Sequence, residues 1–199
     1  MCQECALYFE LIDPWKRCYF CFKEKGDLPC FNCKDKKELN LKMAASLEYI
    51  GSVQTFVKKM ASFQKVYLAK IAGAFMFLQF ERLGWELPDL VIPVPHSVWF
   101  QDHMMLLAQA FAKYVKRKVY PCIGRRMTLL PRRNFHEEEF EAPQRTECYL
   151  KKKANIKGKT LLLIDNVMQR GEALSQKADL LRQGMAKKIY VMAFTEMMS

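Results

Sequence analysis

The sequence predicts an α/β protein, a parallel sheet flanked by helices, with a small cysteine-rich module at its N-terminus. Two observations predict it. From residue 88 onward the chain reads strand, helix, strand, long polar stretch, strand, helix, strand. Its strands are continuous apolar runs, as expected where both faces of a sheet are covered. Before that, six of the eight cysteines fall within the first 33 residues. We place the module at residues 1–38 and the sheet domain at residues 39–199, with the charged stretch Lys34–Lys37 near the boundary.

Each element has a local reason. Leu47-Glu48-Tyr49-Ile50-Gly51 reads as a short strand ending in a turn. Two helical stretches follow between Ser52 and Leu83. In the second, Leu68, Ile71/Ala72, Phe75, Leu78 and Arg82 recur at helical spacing, and Gly84 stops it. Leu90-Val91-Ile92-Pro93-Val94-Pro95 is a buried strand whose prolines mark its end. Asp102–Val115 is an amphipathic helix with Met105, Ala108/Gln109, Ala112 and Val115 on one stripe. Val119–Ile123 is the next strand, and Arg125–Lys153 is a polar loop or flap. Thr160–Ile164 is apolar throughout, Glu172–Gln183 is a helix closed by Gly184, and Lys188–Phe194 is a last strand. Open sheets of this kind bind ligands beyond the carboxyl ends of their strands. Those ends are Val94–His96 and Asp165–Gly171.

Composition excludes some classes. A hydrophobic share of 51% with 13% aromatic residues belongs to a globular chain, not a disordered one. Ile71–Leu78, the most apolar stretch, is far shorter than the roughly 20 residues that span a bilayer. No secretory leader is visible at Met1-Cys2-Gln3-Glu4-Cys5, so a cytoplasmic protein is expected. The net charge of +11 is uneven. Residues 1–40 hold seven Lys/Arg and seven Asp/Glu, so the whole excess lies beyond them. Lys113–Arg133 carries eight basic residues and no acid, and Lys151–Lys159 carries five lysines. Such blocks attract polyanions, nucleic acid among them. Lys116, Arg117, Lys118, Arg125, Arg126, Arg132, Arg133, Lys151, Lys152 and Lys153 are the candidates, and a merely solvated basic face is the plainer alternative.

The early cysteines form three Cys-x-x-Cys pairs: Cys2/Cys5, Cys18/Cys21 and Cys30/Cys33. Two intervening residues let both thiolates of a tight turn face one ion, and two such knuckles close a tetrahedral zinc site. Without a leader, metal is favoured over disulfides. Cys18, Cys21, Cys30 and Cys33 are preferred because their loop is short, with Cys2 and Cys5 as the rival pair. An all-thiolate site leaves no open position, so the zinc is structural. Cys122 and Cys148 read as ordinary buried or half-buried residues.

Residues 161–174 read Leu-Leu-Leu-Ile-Asp-Asn-Val-Met-Gln-Arg-Gly-Glu-Ala-Leu. Together with the knuckles, Tyr49-Ile50-Gly51, Pro88-Asp89-Leu90-Val91-Ile92-Pro93-Val94-Pro95 and Lys157-Gly158-Lys159-Thr160, this resembles the ComF family over nearly the whole chain. That resemblance implies a type I phosphoribosyltransferase-like fold and a role in DNA uptake, with single-stranded DNA and other uptake proteins as partners. The family's phosphoribosyl loop has two acids after the strand, then a hydroxyl-rich turn. Here the loop is Asp165, Asn166, Val167, Met168, Gln169, Arg170, Gly171, Glu172 and Ala173. Asn166 carries no charge, Gln169-Arg170 replaces two threonines, and Ala173 replaces a third. Glu172 suits the helix start when no phosphate is there. After Pro95 the family's arginine-rich turn is replaced by His96-Ser97-Val98-Trp99-Phe100. Losing phosphate donors in two regions predicts a non-catalytic relative with no confident catalytic residue. Were the transferase active, it would need magnesium to bridge phosphoribosyl pyrophosphate. His96 could touch a ligand and Trp99 or Phe100 could stack a base, although a loop histidine and packed aromatics are the plainer readings.

Overall fold

A computed structural model describes residues 3–25, 30, 33, 41–63, 66–95, 103–128, 145–169 and 172–197. The elements in chain order are α1 (Gln3–Ala6), a 3-10 turn (Pro14–Lys16), β1 (Leu41–Glu48), α2 (Gly51–Phe63), α3 (Val66–Leu83) and β2 (Leu90–Pro93). After these come α4 (His103–Val115), β3 (Lys118–Val119), β4 (Ile123–Thr128), β5 (Arg145–Leu150), β6 (Thr160–Met168), α5 (Glu172–Gln183) and β7 (Lys188–Glu196).

Five strands form one sheet in the order β1-β7-β6-β2-β3, every pair parallel. β6 is central, flanked by β2 and β7, and all of its residues from Thr160 to Asn166 are buried. That double-sided burial is why its sequence is an unbroken apolar run. Helices α3 and α4 pack on each other; α3 lies on β1 and β7, and α4 on β2 and β6. Helix α5 packs on β7 and against β5. The expected parallel α/β sheet flanked by helices is present. No helix among the described residues is long and apolar enough to cross a membrane.

Several boundaries differ from expectation. β1 begins at Leu41, not Leu47, because Ala44, Ala45 and Ser46 are wholly buried in it. Burial against β7 and α3 overrides their weak strand preference. The expected Val119–Ile123 strand is instead the two-residue β3, because Pro121 has no N–H to continue the ladder. The expected loop over Arg125–Lys153 contains both arms of an antiparallel ribbon, β4 with β5, running from Ile123↔Leu150 to Thr128↔Arg145. Arg125 and Cys148 share the face that carries Ile123, so polar and apolar residues do not alternate in the sequence. The stripe of α3 is rotated: Ala69, Ala72, Gly73, Met76 and Phe80 are buried, whereas Ile71 and Leu78 are exposed. A helix apolar nearly all round gives periodicity little to choose between. In α4 the buried stripe is centred on Met104, Leu107, Ala108, Phe111 and Val115. Gly84 ends α3 as expected, at φ 58°, where a side chain would be strained.

The N-terminal residues cover the free edge of β1. Ile12 N donates to Ser46 O (2.9 Å) and Met43 N to Phe20 O (2.8 Å). An exposed edge would otherwise present these groups to another chain. Gln79, wholly buried on α3, fastens the cover by donating to Ile12 O (2.9 Å) and Ala45 O (3.2 Å). The boundary proposed between residues 38 and 39 lies outside the described residues.

Candidate functional site

Two clusters carry chemistry. In the first, the sulfurs of Cys18, Cys21, Cys30 and Cys33 all lie within 4.8 Å of one another. Cys18 Sγ is 3.9 Å from Cys33 Sγ, and Cys21 Sγ is 3.5 Å from Cys30 Sγ. A tetrahedron with Zn–S of about 2.3 Å has edges of about 3.8 Å, so the four donors fit such an ion. The knuckle forms because Phe22, directly after Cys21, takes φ 62° and donates its N–H to Cys18 O at 2.9 Å. Phe22 is itself buried, which holds that unfavourable backbone in place. Taken without a cation, burial pushes the Cys21 thiol up to about 11 and raises Cys33 as well. Binding a cation therefore has to release protons. Cys5 is not one of the four, and Cys2 lies outside the described residues.

Arg17, beside Cys18, anchors this cluster to the sheet. Its side chain is 8% exposed, with Nη1 3.4 Å from Glu196 Oε2 and Nη2 3.3 Å from Glu48 Oε1. Glu24 is a third carboxylate at 3.8 Å. Glu48 and Glu196 face each other in register at the carboxyl ends of β1 and β7. Burial pushes the Glu196 carboxyl up to about 7; Arg17 opposes the shift, and Glu48 and Glu24 add to it. Nothing in the sequence distinguishes Arg17 from Lys16 or marks Glu196 as its partner.

The second cluster lies at the end of β6, where the sequence suggests a phosphoribosyl loop. The sequence placed Asp165 and Asn166 after the strand, but β6 continues to Met168, pairing Asp165 with Ala193 and Met168 with Glu196. Both residues are buried, at 9% and 8% exposure. Asp165 Oδ1 accepts from Asn166 N at 2.7 Å, and Thr195 Oγ1 donates to Asn166 O at 3.0 Å. Asn166 Nδ2 donates to His103 Nε2 at 3.1 Å. His103, at the first turn of α4 and buried, had no signal in the sequence beyond its place at a helix start. Val167 is half-buried, Met168 buried, and Gln169 and Ala173 exposed. Arg170, Gly171, His96, Trp99 and Phe100, and the side chain of Glu172, lie outside the described residues.

The basic candidates divide similarly. Lys116 and Arg117 are exposed between α4 and β3, Lys118 is exposed at the start of β3, Arg126 is exposed on β4, Arg125 is half-buried, and Lys151, Lys152 and Lys153 are exposed after β5. Arg132 and Arg133 lie outside the described residues. The fold brings the two runs together. Lys151 N donates to Cys122 O (2.9 Å) and Lys151 Nζ to Pro121 O (2.7 Å). Tyr120 Oη donates to Lys153 O (3.4 Å) and accepts from Asn155 N (3.2 Å). Cys122 is buried, with burial pushing its thiol up to about 11, and Cys148 is half-buried, as expected of plain packing residues.

No family model matches the chain, and no curated protein matches it. Among solved structures it is similar to a purine phosphoribosyltransferase from Pyrococcus horikoshii, at 12% identity over 80% of this chain and 89% of that one, with a TM-score of 0.43. It is also similar to adenine phosphoribosyltransferase from Saccharomyces cerevisiae, at 18% identity over 66% and 72% of the two chains, TM-score 0.42. A hypoxanthine phosphoribosyltransferase from Staphylococcus aureus stands at 10% identity over 65% and 72%, TM-score 0.41. At such values no residue role is taken from them.

Proposed function

We propose that this chain is a phosphoribosyltransferase-like protein without transferase activity, of the ComF type, whose sheet domain displays a basic surface to nucleic acid during DNA uptake or processing. The cysteine cluster holds a structural zinc ion. One observation carries the reading: the hydrogen-bonded joint at Tyr120–Cys122 sets Lys151–Lys153 beside the segment that begins at Lys116–Lys118. That joint supports a reading in which cations from two distant runs contribute to one surface, as backbone-tracking contacts to a polyanion require. The inert reading is supported by Asn166, whose amide is spent on His103.

Fluorescence anisotropy of the full chain with a labelled single-stranded oligonucleotide, titrated at rising salt, tests it. We expect affinity to fall linearly on logarithmic axes, with a slope of about −0.7 per phosphate contacted. Absence of binding at low salt, or binding indifferent to salt, sinks the proposal.

A further inference from the structure

Resting on that reading, we propose that Tyr149 is a base-stacking platform that makes the basic surface prefer single strands to duplex. In the ribbon, Tyr149 pairs with Gly124 and Glu147 with Arg126. Directly opposed residues share a face, so these four lie on one side of the ribbon. The other side carries Ile123, buried, with Cys148 and Leu150 half-buried. The first side is therefore turned outward: Arg126, Glu147 and Tyr149 are all exposed.

Tyr149 is held in place on that face. A Cβ at Gly124 would clash with Tyr149 Cζ and lie 2.7 Å from its hydroxyl oxygen, so the ring crosses directly over the glycine backbone. Only glycine leaves it that room. The residue still keeps 42% exposure, and the Arg126 guanidinium carbon stands 5.4 Å from the ring centroid. Two residues on, about 7 Å along an extended chain, comes Lys151, followed by exposed Lys152 and Lys153. An exposed aromatic ring with a guanidinium beside it and lysines following in the chain is an arrangement that suits a single strand, with bases on the ring and phosphates on the cations. Duplex bases are already stacked on one another and offer the ring nothing. Glu147 is the one acid on this face among the described residues of the ribbon, and it sits opposite Arg126 rather than beside the lysines. Covering Gly124 alone would also favour a large side chain here, so the test must separate cover from stacking.

The full-length protein is titrated with a mixed-sequence single strand and with its duplex, using wild type, Tyr149→Leu, Tyr149→Phe and Arg126→Gln. Leucine keeps an apolar cover over Gly124 but has no π face. We expect Tyr149→Leu to weaken single-strand binding about 5- to 100-fold and duplex binding less than about twofold, with the salt slope unchanged. Tyr149→Phe should bind as wild type does. Arg126→Gln should weaken both and reduce the slope. Equal loss for both forms in Tyr149→Leu, or no loss for either, overturns the platform while leaving the basic surface intact. If wild type shows no salt-dependent binding, the underlying reading falls first.

Discussion

The cysteine cluster and the Asp165–Asn166 cluster differ in where their polar atoms are directed. Four sulfurs from two separate knuckles converge within 4.8 Å of one another, and backbone N–H groups hydrogen-bond those of Cys18 and Cys21. Burial raises the Cys21 and Cys33 thiols and so penalises their thiolates, whereas at Cys18 burial is outweighed by backbone N–H groups that lower the thiol; a bound cation would offset the penalty on the thiolates. At β6 the opposite holds. Asp165, Asn166, His103 and Thr195 hydrogen-bond within the protein and are buried. The first cluster could hold a metal ion, whereas the described polar groups of the second hydrogen-bond one another.

Removing one sulfur should break this comparison most severely. Cys33→Ser should abolish stoichiometric zinc binding, measured by metal analysis of purified protein. Because the module covers β1, the Met43 amide that donates to Phe20 O should also lose protection in hydrogen exchange. Wild type stripped with a chelator should behave the same way. Protection unchanged after metal loss would mean that the edge cover holds without the ion.

The Arg17 anchor comes next. Arg17→Met leaves Glu196 beside Glu48 with only Lys23 opposing its raised carboxyl, and should cost less than the about 3–5 kcal/mol of a fully buried broken pair, because Glu196 can take up a proton. The pH dependence has a definite sign. Glu196 titrates at about 7 in the folded chain against 4.5 unfolded, so between those values the folded state holds the extra proton. Its contribution is therefore fully present below 4.5 and is lost as pH rises toward about 7 and beyond. Denaturant melts from pH 4 to 8 should show this decline, and Glu196→Gln should flatten it. In Arg17→Met the decline should extend to higher pH, because the one cation opposing the shift most strongly is gone. A pH profile identical in wild type and Glu196→Gln would remove this assignment.

Much of the fold could be read from the sequence because burial on both sides of β6 and β7 leaves unbroken apolar runs. α5 was placed to the residue because Gly184 punctuates a clear helical pattern. The ribbon is not legible in the sequence because Arg125 lies on its inward face and hides the alternation. β1 was shortened because Ala44, Ala45 and Ser46 signal no strand on their own. At the sites, the Cys-x-x-Cys spacing carries its own geometry, so the convergence of Cys18, Cys21, Cys30 and Cys33 is legible in the sequence. The partners of Asn166 and Arg17 could not. His103 is 63 residues from Asn166, and Glu196 is 179 from Arg17; contacts of that kind are created by sheet order, not by local pattern.

The smallest effect expected sharpens the second half of the comparison. Asn166→Asp restores the second acid without altering the size of the side chain. If charge were all the remnant loop lacked, calorimetry with phosphoribosyl pyrophosphate and magnesium should then register binding. We expect it to remain silent, as in wild type. The new carboxylate would no longer donate to His103 Nε2, and would draw a proton onto that ring to keep the contact. The group would thus remain occupied by the protein, at a stability change of about 1 kcal/mol. Gln169 and Ala173 would also still offer no hydroxyl. Micromolar binding by wild type that disappears in Asp165→Ala would reverse the inert reading, and binding gained only in Asn166→Asp would show that a single charge separates this loop from a working one.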